Sequence, residues 1–362
     1  TTRSKENMKT SLTWRKTAAA AVAAIVSLGS AGTAVAATSN SSVGSSIAGS
    51  SFNLTIGSSV TGSSKPQPEE QQGFDLQSHR GGRGEHTEES RKAFEESVKM
   101  GVSTLELDIV MAEDGTPVVW HDPEIQADKC TDTKPATEND PEFPYVGKLV
   151  HELNWNQLQT LNCNKVLKGF PEAKAEETNK LLQLQDVFDI AAVDPQIRFN
   201  IETKIEAEDR EKSATPQEFV DAILPVVRAN KATSRTTIQS FDWRSLPLVR
   251  KAQPDISLAL LYDATTWKPG SQWIGDVDYD KLGGDVNKAA TQMGAEILSP
   301  HYKLVTPENV ASAHEAGLQV LPWTVNEKSD MQAMVDAKVD GLITDYPTRG
   351  LEVLKKNKLQ VL

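Results

Sequence analysis

Ser78-His79-Arg80-Gly81-Gly82, Glu106-Leu107-Asp108 and His121-Asp122 set two histidines, an arginine and paired carboxylates at the ends of strand-like apolar runs. Imidazole exchanges protons near neutral pH, guanidinium grips phosphate oxygens, and neighbouring carboxylates hold a hard cation. Together these groups suit the cutting of a phosphate ester. Glu106 and Asp108 are two apart, so in a strand both point to one side. The same spacing aligns Asn200, Glu202 and Lys204. Burying such a row against helices would be costly, so these side chains must line an open mouth.

The elements that carry them alternate. Strand-like runs cover 74–78, 104–111, 117–120, 198–202, 236–239, 257–261, 296–299, 319–323 and 341–344. Helical patterns fall between most of them. The pattern over 88–100 puts Ala93, Phe94, Ser97 and Met100 on one face; Pro216–Ala229 starts behind Thr215 as its cap; 307–316 starts behind Thr306 and stops at Gly317; 328–337 follows Asn326. Asp114-Gly115 marks a hairpin turn. Repeated strand–helix units predict a parallel sheet. About eight of them suit a closed (β/α)8 TIM barrel with a small inserted hairpin and loop region. An open dinucleotide-binding sheet is disfavoured because Gly81–Gly84 lacks the full G-x-G-x-x-G spacing.

Barrel sites lie at the C-terminal strand ends, which is where His79, Arg80 and His121 fall. Trp323 and Phe241, also at strand ends, are candidate pocket walls, and His301 a candidate at the rim. Asp122 is expected to orient His121 or cap a turn, and His86, His151 and His314 to serve structure.

Residues 1–37 read as a secretory signal peptide: Lys9, Arg15 and Lys16 precede an alanine-rich apolar run, then Ala34-Val35-Ala36. Met8 reads as the start, with residues upstream of it an addition. An uncleaved membrane anchor is the alternative. Residues 38–72, rich in serine and glycine and then proline, glutamine and glutamate, read as a flexible spacer near a cell wall or membrane, and 73–362 as the catalytic barrel. A secreted or extracytoplasmic setting predicts that the two cysteines, Cys130 and Cys163, form a disulfide. A net charge of -12 without a basic stripe argues against nucleic acid and leaves a small molecule as partner.

Taken in order, His79-Arg80-Gly81, Glu85-His86-Thr87, Glu106-Leu107-Asp108, Asp114-Gly115, His121-Asp122, Glu202-Thr203-Lys204, Gln239-Ser240-Phe241-Asp242, Leu321–Asn326 and Asp340–Pro347 resemble the glycerophosphodiester phosphodiesterase family from about Phe74 onward. Gly84 departs from the pattern, which often has proline there. The resemblance implies a (β/α)8 barrel and a divalent cation, Ca²⁺ first and Mg²⁺ second. It further implies Glu106, Asp108 and Glu202 as metal ligands, His79 and His121 as acid and base, and Arg80 and Lys204 as phosphate contacts. Three carboxylates without cysteine or clustered histidine suit Ca²⁺ or Mg²⁺ better than zinc.

The expected reaction is hydrolysis of glycerophosphodiesters to sn-glycerol 3-phosphate and an alcohol. The substrate's own 2-hydroxyl is the expected attacker, by analogy with the family. Two rivals stand beside it. One is a lysophospholipase D or sphingomyelinase D-like phosphodiesterase on the same barrel, with an apolar lip around 267–273. The other is a secreted, non-catalytic binding protein.

Overall fold

Short runs of Val, Ile, Leu and Phe, too short for helices, become strands buried on both faces because helices cover them outside and side chains fill the barrel within. The computed structural model describes residues 73–362, so the signal-peptide and spacer expectations lie outside the described residues. The strands are β1 Asp75–Ser78, β2 Thr104–Met111, β3 Pro117–Val119, β4 Leu182–Gln183, β5 Arg198–Thr203, β6 Thr236–Ser240, β7 Ser257–Tyr262, β8 Ile297–Pro300, β9 Gln319–Val320 and β10 Gly341–Thr344. Eight of them run parallel in the order β10-β1-β2-β5-β6-β7-β8-β9. Closure is made by Asp340 N donating to Val320 O at 3.1 Å and Ile343 N to Pro322 O at 2.9 Å. This is the expected (β/α)8 barrel.

A helix follows each barrel strand before the next begins: Arg91–Met100, Leu184–Ala191, Pro216–Ala229, Ser245–Ala252, Val286–Met293, Pro307–Glu315, Lys328–Asp336 and Pro347–Lys356. At the closing seam Gly341 leaves no room for a side chain, since a Cβ would lie 2.2 Å from Asp75 O and 2.7 Å from Leu321. Any larger residue there would pry β10 from its neighbours.

Two elements differ from the sequence pattern. The first helix starts at Arg91, with Ser90 Oγ accepting from Ala93 N at 3.1 Å, rather than at residue 88. Glu88 and Glu89 are drawn off the helix because their carboxylates bind Arg80 Nη1 and Asp108 N. The ninth strand ends at Val320, but Trp323 N still donates to Pro300 O at 3.0 Å, which carries the barrel wall to the mouth.

Between β2 and β5 the chain leaves the barrel. β3 pairs antiparallel with β2 across the Asp114-Gly115 turn, and β4 with β3. The long excursion between β3 and β4 has its own core, including Ile125, Tyr145, Val150, Leu153, Leu158 and Leu161. Cys130 and Cys163 are joined there, as expected. No helix among the described residues is long and apolar enough to cross a membrane.

Candidate functional site

The site is built where β1 stops. After Ser78 the chain turns sharply, and Arg80 takes a left-handed backbone at φ 51°. That conformation costs a non-glycine residue roughly 1 kcal/mol and needs the surroundings to enforce it. Glu106 does so from β2, accepting from Arg80 N at 3.0 Å. The turn aims His79 and Arg80 into one pocket.

His79 Nδ1 faces Asp345 Oδ1 at 2.6 Å, just beyond β10. Asp345 is itself fixed by Arg83 Nε at 2.8 Å and Asn326 Nδ2 at 2.7 Å, and its side chain is 1% exposed. An ionised carboxylate can only accept, so His79 carries its proton on Nδ1 and turns Nε2 to the pocket, 4.0 Å from Glu106 Oε2. Burial lowers the His79 pKa below its usual 6.5, with Asp345 opposing.

Glu106 and Asp108 from β2 and Glu202 from β5 converge as expected, each buried, with one oxygen from each within 4.8 Å of the others. Burial, then Asp108 and Glu202, pushes Glu106 well above the usual carboxylate range. Burial also lifts Glu202 to about 8, Lys204 opposing and Asp108 reinforcing. Against its own burial, Asp108 is held low by His121, Arg80 and Lys204. Both Asp108 carboxylate oxygens lack a hydrogen-bond partner, although Arg80 Nε lies 3.0 Å from Oδ2. Three crowded acids whose charges repel, with an under-satisfied carboxylate among them, fit a hard divalent cation. All-oxygen donors disfavour a soft one.

His121 follows β3. Its Nε2 lies 3.1 Å from Lys204 Nζ, a donor, so Nε2 accepts and Nδ1 carries the proton toward Asp122 Oδ1, 3.1 Å away. Asp122 therefore orients its neighbour, as expected. Burial first, then the Lys204 and Arg80 cations, lowers the His121 pKa to about 4. It stands neutral at pH 7. Lys204 Nζ also donates to Glu202 Oε1 at 2.9 Å.

One open cavity joins these groups. His79, Arg80, Glu106, His121, Glu202 and Lys204 line it, with Phe241 and Trp323 as aromatic walls. Phe241 packs edge-on to Trp323 at 5.3 Å, and Lys204 Nζ lies 5.8 Å from the Phe241 ring centre. Asp108 is not part of that lining but lies 3.0 Å from Arg80 Nε and within reach of Glu106 and Glu202. Arg80 is more committed than its motif suggests: Nη1 donates to Glu88 Oε2 at 2.8 Å while Nε faces Asp108.

His301 does not line the cavity; its ring stands edge-on to Trp323 at 5.1 Å. His151 Nε2 meets Glu211 O at 2.7 Å, and His314 pairs with Asp340 at 3.0 Å, both structural as expected. Of the region around 267–273, the candidate apolar lip of the lipid-cleaving rival, Trp273 reaches the Phe241 wall of the cavity. Trp267 stacks on Trp243 at 5.4 Å inside the helix layer, while Trp273 meets Phe241 edge-on at 6.4 Å. Gly84 has its own reason. Its N donates to Asp345 O at 2.9 Å, and a Cβ would lie 2.4 Å from the Tyr346 ring, so proline would lose a bond and clash.

Sequence reasoning missed Glu88, Glu89, Arg83 and Lys129. Glu88 and Glu89 carry no signal beyond sitting at a helix start. Lys129 lies in the excursion, far from any strand end.

Residues 79–349 match the model of the glycerophosphoryl diester phosphodiesterase family. The chain belongs to this family. It is similar to the glycerophosphodiester phosphodiesterase of Caldanaerobacter subterraneus, 27% identical over 279 residues, 77% of this chain and 97% of that one. It also resembles a human lysophospholipase D, 23% identical over 75% of this chain and 82% of that one. Its fold matches a Silicibacter pomeroyi structure described as a glycerophosphoryl diester phosphodiesterase, with TM-score 0.70 and 28% identity, covering 81% of this chain and 96% of that one. Family membership makes the protein a phosphodiesterase of a divalent-metal-dependent family, and the acidic triad is where the described residues could hold the ion.

Proposed function

We propose that this phosphodiesterase hydrolyses glycerophosphodiesters to sn-glycerol 3-phosphate and an alcohol, with His79 and His121 exchanging protons with the substrate. The observation that carries the reading is that both imidazoles are backed by an aspartate at Nδ1 and present Nε2 to one cavity. A neutral Nε2 accepts a proton from the attacking hydroxyl, and the other histidine, once protonated, hands one to the leaving oxygen. With the glycerol 2-hydroxyl as attacker, its oxygen bonds phosphorus as the alcohol departs, and water then opens the cyclic phosphate.

Glu106, Asp108 and Glu202 would hold the divalent cation, Ca²⁺ first and Mg²⁺ second. When bound, it supplies positive charge for the phosphoryl oxygens, where negative charge gathers in the transition state. Lys204 and the free edge of Arg80 add to that field from the chain itself. The signal-like segment and the disulfide support an exported enzyme, with the spacer near wall or membrane. The scaffold-only reading would need one of these groups missing, and all are present.

A second reading has one observation in its favour. Beside the catalytic cavity, sharing Arg83 with it, lies a shallow wall of Trp120, Val166, Leu167, Phe170 and Ala173, with Glu88, Lys129 and Lys165 among them. Its apolar members offer contact to an acyl chain lying along the mouth, as a lysophospholipase D would need. The discriminating experiment compares glycerophosphocholine with lysophosphatidylcholine, with and without chelator. The deacylated diester should be preferred at least about tenfold in kcat/KM, or roughly 1.4 kcal/mol. Chelator should abolish turnover and Ca²⁺ or Mg²⁺ restore it. Equal or better turnover of the lysolipid would move the protein to the second reading, and full activity in excess chelator would remove the metal.

A further inference from the structure

Lys129 belongs to no strand-end motif, yet its side chain is only 12% exposed and bridges the two sides of the site. Its Nζ donates to Asp122 Oδ2 at 2.6 Å and pairs with Glu88 Oε1. Asp122 holds His121 Nδ1, and Glu88 holds Arg80 Nη1. An unbroken series of contacts thus runs from His121 through Asp122, Lys129 and Glu88 to Arg80. The lysine backbone is fixed from several directions. Lys129 N donates to Gln126 O at 3.1 Å, Lys129 O accepts from Lys165 N at 3.3 Å, and the next residue is the disulfide-bonded Cys130.

Without this ammonium, Glu88 and Asp122 would be left as two acids around one emptied position. Glu88, 4% exposed, would keep Arg80 as its anchor. Asp122, 20% exposed, would keep only His121, because Lys129 is its other side-chain partner. A carboxylate with one anchor and access to water can rotate away, leaving His121 held only at Nε2 by Lys204. We propose that Lys129 is a positioning residue for the reaction assigned above, setting the His121 imidazole through Asp122 and bracing Arg80 through Glu88. The proposal rests on that reaction reading, so the test includes a readout that needs no turnover.

Steady-state kinetics on glycerophosphocholine would compare wild type, Lys129→Met, Lys129→Arg, Asp122→Asn and the Lys129→Met/Asp122→Asn double variant. Lys129→Met should lose about tenfold in kcat, the scale seen when groups that hold a catalytic shell are removed. Its KM should move by less than about twofold, as expected when transition-state rather than ground-state interactions are lost. Lys129→Arg, which keeps the charge and can reach both carboxylates, should recover most of the loss. The double variant should lose less than the product of the two single losses, because Lys129 and Asp122 share the path to His121. Unchanged kcat in Lys129→Met, no recovery in Lys129→Arg, or losses that multiply would each overturn the proposal.

The independent readout is ¹⁵N NMR of the histidine rings in the same proteins. Wild type should show His121 as the Nδ1–H tautomer with Nδ1 bonded to Asp122, and Lys129→Met should move the Nδ1 resonance as that bond loosens, while Lys204 at Nε2 keeps the tautomer. An unmoved Nδ1 resonance would overturn the proposal. A wild type inactive on every glycerophosphodiester would sink the reaction reading, and the ring spectra would still decide Lys129.

Discussion

The two histidines of this site are held by different parts of the molecule. His79 sits at the end of β1, and its aspartate, Asp345, follows β10, the neighbouring strand. Three side chains converge on that aspartate, which is fully enclosed. His121 sits at the end of the β3 hairpin strand, outside the ring of eight, and its aspartate is the next residue in sequence. That aspartate is part-exposed and is braced by a lysine from the disulfide-linked excursion. Barrel closure therefore sets one imidazole, and an appended segment sets the other. The division lets the excursion act directly on the His121 half and reach the other half only through Lys129, Glu88 and Arg80.

The largest effects should come from the imidazoles themselves. His79→Ala and His121→Ala should each lower kcat by roughly 100-fold or more with the fold intact, the usual scale for lost acid/base catalysis. The halves should part company at their aspartates. Asp345→Asn weakens the pairing of half-buried Arg83 and His79 at an enclosed position, where an unsatisfied group costs roughly 1–3 kcal/mol, so both kcat and Tm should fall. Asp122→Asn should lower kcat with little change in Tm, because its side chain reaches water. Equal Tm losses in thermal melts of the two variants would erase the distinction.

Smaller still should be the effect of Cys130→Ser/Cys163→Ser on chemistry. Loss of such a bridge typically removes about 2–4 kcal/mol of stability. The excursion should become protease-sensitive while His79 keeps its ring environment. Matching losses in the His79 and His121 ring spectra would contradict the division. The smallest test is electrostatic. His121 in the metal-free enzyme should titrate well below 6.5, because burial and then Lys204 and Arg80 oppose its protonation. Asp122 favours the protonated ring, so Asp122→Asn should push that titration lower still. An unperturbed or raised value in an NMR titration would reverse the sign.

The barrel half was legible in the sequence. Period-two spacing places Glu106 with Asp108, and the strand-helix alternation predicts a closed eight-unit barrel; both are seen. His79, His121, Glu202 and Lys204 fall at strand ends, where chain direction alone fixes their side of the sheet. What escaped is long-range or irregular. Glu88 and Glu89 follow the helical pattern, yet tertiary pairing with Arg80 and with Asp108 N outweighs helix propensity there. Lys129 owes its place to the path of a segment with little regular structure, for which no periodicity exists. The two-residue β4 is too short to show a pattern.

The most direct test of two histidines in separate proton-transfer roles pairs His79→Asn and His121→Asn with two substrates. One is glycerophosphocholine; the other is a glycerophosphodiester whose leaving group is p-nitrophenol, which departs without a proton. Both variants should fall by roughly 100-fold or more on glycerophosphocholine, and one of them should recover near-wild-type turnover on the nitrophenyl ester. Near-normal turnover of glycerophosphocholine by either variant, or equal losses of both variants on both substrates, would contradict the assignment.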